Sequence, residues 1–145
     1  MSCHSTIALK TGYGSCLAIR CHYDGYPAHH GPILMSAYDT EEKVRALLAL
    51  GDLSVLGPEL GEKHDFRDQN HPTWCLAYGR DRGERNTEAC NCTIEEVEFG
   101  FEDADFNYLF DPALNVWLVS GRGLRFIQVT DHPDMRRQAA APMSA

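Results

Sequence analysis

Residues 21 to 34, Cys-His-Tyr-Asp-Gly-Tyr-Pro-Ala-His-His-Gly-Pro-Ile-Leu, constrain the fold more than any other stretch, because within them a β-like run must end and a helix-like run begin. Cys16 to Tyr23 is rich in β-branched and aromatic residues, Asp24-Gly25 is a turn signal, and the ring of Pro27 pushes Tyr26 into an extended conformation. Pro32 suits the first position of a helix whose one face carries Ile33, Leu34, Ala37 and Tyr38. Before the corner, Ser5 to Lys10 and Cys16 to Tyr23 flank Thr11-Gly-Tyr-Gly-Ser15, which predicts an N-terminal hairpin. Tyr23 and Tyr26 are expected to anchor the corner by packing.

A second helix follows. Asp39 or Thr40 caps it, Glu41 and Glu42 suit its positive end, Val44, Leu47 and Leu48 give apolar spacing, and Gly51 closes it. Residues 50 to 61 combine leucines with glycines and read as an ordered loop that plugs the core, and Glu62 to Thr73 as a long polar surface loop. Trp74 to Tyr78 reads as a strand, followed by a charged loop through Arg85. Thr93-Ile-Glu-Glu96 fits a capping box, although Val97, Phe99 and Phe101 alternate like a strand, so residues 93 to 101 stay open between helix and strand. Phe106 to Phe110, Asn115 to Val119 and Leu124 to Val129, separated by turn residues, predict a C-terminal β-meander.

The expected architecture is α+β: a single domain over residues 1–133, with an antiparallel sheet built from the hairpin, the central strand and the meander. Two short helices pack on one face. Residues 134–145 lack periodicity and are expected to form a mobile tail. At 145 residues and 43% hydrophobic the chain suits one core, not two. Neither an apolar run long enough to span a membrane nor a secretory signal is present, so a cytoplasmic protein with reduced thiols is expected from its six cysteines. Cys16 and Cys21 read as small buried hydrophobes.

The net charge of -8 is confined. Between Asn86 and Gly121 lie eight acidic residues (Glu88, Glu95, Glu96, Glu98, Glu102, Asp103, Asp105, Asp111) and no Lys or Arg, while the other 109 residues carry 13 acidic and 13 basic side chains. Direct binding of nucleic acid through a basic groove is disfavoured. Carboxylates without basic partners repel one another unless spread out or met by a positive surface, so this region is either a solubilising face or a partner-binding one. Arg80, Asp81, Arg82, Glu84 and Arg85 read either as exposed ion pairs or as an Arg fork for a carboxylate or phosphate.

His22, Asp24, Tyr26, His29 and His30 form a secondary pocket candidate. With Cys21 they have the residue types of a metal-dependent enzyme or metal-stabilised module, but their spacing matches no paired ligand motif, and neither metal nor cofactor is expected. Cys90-Asn-Cys92 places two thiols on one face of a strand without a partner pair. No G-x-S-x-G, H-E-x-x-H or Gly-rich phosphate loop occurs, which argues against an enzyme.

The run Cys21-His-Tyr-Asp-Gly-Tyr-Pro27, continued by Gly31, Leu34, Leu47, Leu50-Gly-Asp-Leu-Ser54, Leu56-Gly57 and Tyr78-Gly-Arg-Asp-Arg-Gly-Glu84, resembles a family of small accessory proteins of tailed phages and prophages. The likeness spans roughly residues 5 to 120, within about four residues. Many members have Trp where this chain has Tyr23. The resemblance implies an accessory protein acting in a bacterial cytosol and brings no catalytic residues with it. The expected function is binding and inhibiting a host protein with a basic surface, such as a CRISPR effector, through the acidic region and exposed loops. A structural phage component is the third alternative.

Overall fold

The expected N-terminal hairpin forms: β1 (Ser5–Gly12) and β2 (Ser15–Cys21) pair antiparallel from Ser5 opposite Cys21 to Gly12 opposite Ser15. The computed structural model describes residues 3–100 and 104–135. Beyond the hairpin come α1 (Pro27–Ala37), α2 (Glu41–Leu48), β3 (Leu53–Val55), β4 (Leu76–Ala77), α3 (Tyr78–Arg82), β5 (Cys90–Thr93) and α4 (Ile94–Phe99). The chain then runs through β6 (Phe106–Asp111), β7 (Val116–Gly121) and β8 (Leu124–Gln128) into a 3-10 turn, Val129–Asp131. The architecture is α+β, and no helix among the described residues is long and apolar enough to cross a membrane.

The sheet is mixed, not wholly antiparallel. Its order is β4-β3-β2-β1-β6-β7-β8, with β1 and β6 parallel in the centre and β2 meeting β3 parallel at Cys21 and Leu53. Parallel pairing is possible because the intervening helices carry the chain back across a face of the sheet, and it suits strands buried on both faces. Accordingly β6 is buried along its whole length and β1 from Ser5 to Leu9.

Those two faces hold two apolar layers. Ile7, Leu9, Ile19, Tyr108, Phe110, Trp117 and Val119 face α1 and α2, where Leu34, Tyr38, Val44, Leu47 and Leu48 complete the larger core. Ala8, Cys16, Ala18 and Leu109 face the other way, against Val97 of α4. The expectation of two helices on one face is thus met, and a third helix covers the opposite one. Within 93–100 the chain is helix over 94–99, and Phe101 lies outside the described residues: Thr93 Oγ1 accepts the Glu96 N–H (3.1 Å), and Glu96 Oε1 accepts the Thr93 N–H (2.9 Å). Replacing Thr93 by alanine is expected to cost about 1 kcal/mol, the usual worth of an N-cap, read as a lower thermal midpoint.

The first helix begins at Pro27, not Pro32. Extended Tyr26 accepts the His30 N–H (3.0 Å) and so starts the helix five residues early, leaving Pro32 inside it, tolerated near the first turns where only one ladder bond is lost. Thr40, not Asp39, caps α2. That helix stops at Leu48, and Gly51, at φ +76°, turns the chain just beyond it. The 50–61 loop is ordered as expected and contributes β3, with Leu53 and Leu56 in the core. Only Leu76 and Ala77 of the 74–78 stretch are strand, because Trp74 instead bridges to Glu59. At the C-terminus, the Met135 N–H bonds the His132 carbonyl (3.0 Å), and residues 136–145 of the expected tail lie outside the described ones.

Candidate functional site

The corner that opens the chain's first helix is built on glycine and histidine. Gly25 donates its N–H to the Cys3 carbonyl (2.9 Å) and accepts from the Tyr108 hydroxyl (2.6 Å); a Cβ there would lie 2.7 Å from Ser5 Cβ, so only glycine fits. His30 is fully buried, its Nε2 3.0 Å from Ser5 Oγ and its Nδ1 3.0 Å from His29 Nδ1. Burial, helped by neighbouring His29, pushes the His30 ring down to about 3, so it is neutral. Tyr23 and Tyr26 are outside the core, 44% and 42% exposed, contrary to the expected anchoring role: beside the turn through Asp24, at φ +58°, their rings lie against His22 and His29.

The corner residues do not converge on a metal. Cys21 points into the core and donates towards the Tyr23 and Ser54 carbonyls, His22 lies against His4 on the other side of the strand (centroids 4.5 Å apart, rings tilted by 40°), and Asp24 is exposed. No group of three His, Cys, Asp or Glu side chains gathers among the described residues. Burial also pushes the thiols of Cys16, Cys21 and Cys92 up, to about 11, 12 and 12, so they are not thiolate nucleophiles. Cys90 and Cys92 lie on β5 beside β2, as the C-x-C spacing predicts.

The charged segment at 80–85 is not a hairpin loop. Residues 78–82 form α3, closed by Gly83 at φ +73°. Asp81 Oδ2 accepts the Ala77 N–H (2.8 Å), its Oδ1 accepts the His64 N–H (3.2 Å), and Arg80 grips both oxygens (2.9 and 3.1 Å). Burial alone would raise this carboxyl, but these bonds outweigh it and hold it below the usual carboxylate range. Arg80 also donates to the Leu60 and Cys75 carbonyls. Both residues are therefore internal fasteners of the loop that carries Leu60 and His64, with the Asp81 side chain buried and that of Arg80 nearly so. Arg82, in contrast, is exposed, paired with Glu84 and lying over the rings of Phe66 and Tyr78.

The acidic region is less naked than its local sequence. Asp105 binds the His4 N–H and lies 3.6 Å from Arg122; Asp111 lies 3.9 Å from Lys10. Glu98 holds the Phe126 N–H (2.9 Å) and Arg125 (3.2 Å); burial alone would raise its carboxyl, and those two donors bring it below the usual range. Glu96 is engaged in the capping box, and Glu88 and Glu95 are exposed. Glu102 and Asp103 lie outside the described residues. What stays open is one end of the sheet, where the β1–β2 and β6–β7 turns lie side by side. There Tyr13 is fully exposed and Leu114 largely so, next to the first turn of α4, where Ile94 N–H bonds the Gly14 carbonyl and Glu95 and Glu96 follow.

A second site was invisible in the sequence. The outer edge of β2 is split: β5 pairs with Ser15–Ala18 and β3 with Cys21, and between them the Arg20 N–H bonds Asp52 Oδ1 (2.9 Å). A groove of about 470 Å³ opens at this split. Thr6 and Arg20 come from the hairpin and His4 and His22 from its two ends, Asp52 from the turn after α2, and Tyr78, Arg82, Glu84, Arg85 and Thr87 from α3 and its exit. Asp52 is pinned there by its N–H to the Thr87 carbonyl (2.7 Å), and Gly51 passes so close that a Cβ would sit 2.3 Å from that oxygen. Burial pushes the Asp52 carboxyl up, opposed by Arg20. Segments 21–22, 52–53 and 78–87, far apart in the chain, thus meet at one groove. No protein-family model matches the chain, and no curated protein and no solved structure is significantly similar to it.

Proposed function

We propose that the protein is a phage or prophage accessory protein that binds a host protein and inhibits it by occupying its surface, without chemistry of its own. The partner is a basic, nucleic-acid-binding component of antiviral defence, such as a CRISPR effector. The observation that carries this reading is the end of the sheet where fully exposed Tyr13 and largely exposed Leu114 adjoin Glu95 and Glu96 at the start of α4. Tyrosine is favoured as an interface anchor because it adds a large apolar area with few rotatable bonds, and isolated carboxylates around it steer a positive surface into register. The negative excess of the whole chain works in the same direction at longer range.

The test is affinity capture from a bacterial lysate with the full chain, followed by titration of the recovered partner. Tyr13→Ala is expected to weaken that partner's binding by about tenfold or more, the range for a central aromatic anchor, without changing the thermal midpoint. Unchanged affinity in Tyr13→Ala would remove this end of the sheet as the contact.

A further inference from the structure

Three thiols lie along the short ladder between β2 and β5. Cys16 stands directly opposite Cys92, and Ala18 opposite Cys90. Directly opposed residues of an antiparallel pair project to the same face, here the one covered by α4. Cys16 is fully buried in the apolar layer with Ala18 and Val97, and Cys92 is half-buried against it. Both β5 thiols lean towards β2: Cys92 Sγ lies 3.8 Å from the Cys16 carbonyl oxygen, and Cys90 Sγ 3.8 Å from that of Ala18.

The spacing favours one pairing of the three. The Ile94 N–H bonds the Gly14 carbonyl (3.1 Å), and ladder alternation then makes Cys16–Cys92 a hydrogen-bonded pair, with Cα atoms about 5.5 Å apart. That lies inside the roughly 4.4–6.8 Å that a disulfide spans. Cys90 and Cys92, two apart on one strand, stand about 6.7 Å from each other, at the far limit of that span. Cys21 and Cys75 belong to the core on the other face of the sheet. Among the described strands β5 pairs with β2 alone, and Cys92 keeps part of its surface in solvent, so a small reagent reaches it from outside. We propose that Cys16 and Cys92 are a redox modification site, closed to a reversible cross-strand disulfide by exchange with a small-molecule disulfide such as oxidised glutathione. Cys92 loses its proton and attacks one reagent sulfur, releasing one glutathione thiol and leaving a mixed disulfide. Cys16, deprotonated in turn, attacks Cys92 Sγ and releases the second thiol. The two cysteines lose two electrons, the reagent gains them, and the two protons pass to the departing thiolates. The bond ties the strand that follows Tyr13 to the strand that leads into Glu95, and its formation is independent of any partner.

Incubation of the full chain with oxidised glutathione, followed by intact mass and peptide mapping, tests this. Because burial keeps both thiols protonated at neutral pH, the exchange is run at about pH 8.5, the ordinary thiol value. The expected product has lost two hydrogens, carries a Cys16–Cys92 bridge that dithiothreitol removes, and unfolds with a thermal midpoint about 5 °C or more above the reduced chain. Cys92→Ala is expected to abolish the bridge, and Cys90→Ala to retain it; Cys92 is only half-buried, so its variant serves where Cys16→Ala fails to fold. The proposal is overturned if no Cys16–Cys92 bridge forms, if it forms only in urea-unfolded chain, if Cys92 pairs with Cys90 instead, or if the bridge lowers the midpoint.

Discussion

Asp81→Ala is expected to lower the unfolding free energy by about 3–5 kcal/mol, the cost of breaking a buried ion pair by removing one partner. The Asp81 side chain has no exposed surface, and its two oxygens hold the first turn of α3 through Ala77, the 57–65 loop through His64, and both arms of the Arg80 fork. Without the carboxylate, Arg80 keeps only the Leu60 and Cys75 carbonyls while its charge remains partly buried, and two backbone N–H groups lose their acceptor. Urea unfolding checks this: the midpoint falls with little change in slope. Asp81→Asn, which keeps an acceptor oxygen but not the charge, falls between the two. A loss under about 1 kcal/mol, the range of an exposed pair, would show that the fastener is solvated.

Acid is expected to destabilise the fold through His30. Its folded-state value of about 3 lies below the ordinary 6.5, so below pH 6.5 the unfolded chain takes up a proton that the folded chain refuses. Stability from this group is complete above pH 6.5 and is lost as pH falls towards 3, by up to about 1.4 kcal/mol per pH unit. Ser5 on β1 and Tyr108 on β6 face the ring, with His29 beside it on its own helix. Among the described residues no carboxylate is hydrogen-bonded to the ring to favour the protonated form. Urea midpoints at pH 7 and pH 5 measure the effect. His30→Gln keeps a polar partner for Ser5 without a titrating ring, and its stability is expected to vary less over that interval. Equal pH dependence in the two proteins would assign the acid sensitivity elsewhere.

Local chemistry made much of the fold legible. The Thr11–Ser15 turn, the Asp-Gly-Tyr-Pro corner, the cap at Thr40 and the aromatic runs of the meander act through neighbours a few residues away, and each lies where its chemistry put it. What stayed hidden depends on partners far along the chain. Parallel pairing of β1 with β6 joins Ser5 to Phe106, a separation that no periodicity reports. The count of eight acids without a base was correct for residues 86–121, yet Lys10, Arg122 and Arg125 reach in from outside that window to Asp111, Asp105 and Glu98. Arg80 and Asp81 read as solvated because their alternating signs look the same on a surface loop as in a buried clasp. The groove escaped because its lining comes from three segments far apart in the chain.

The proposed function is recognition of a basic partner through the Tyr13–Glu95 end. Its most direct test is the association rate constant of the captured partner over a salt series, for the parent and for Glu95→Lys, a substitution that leaves the capping box intact. The parent's rate is expected to fall steeply with ionic strength, and that of Glu95→Lys to be lower at low salt and flatter, with the two converging at high salt, where the Debye length shrinks to about 3 Å. Superimposable rates at every salt concentration would contradict the claim.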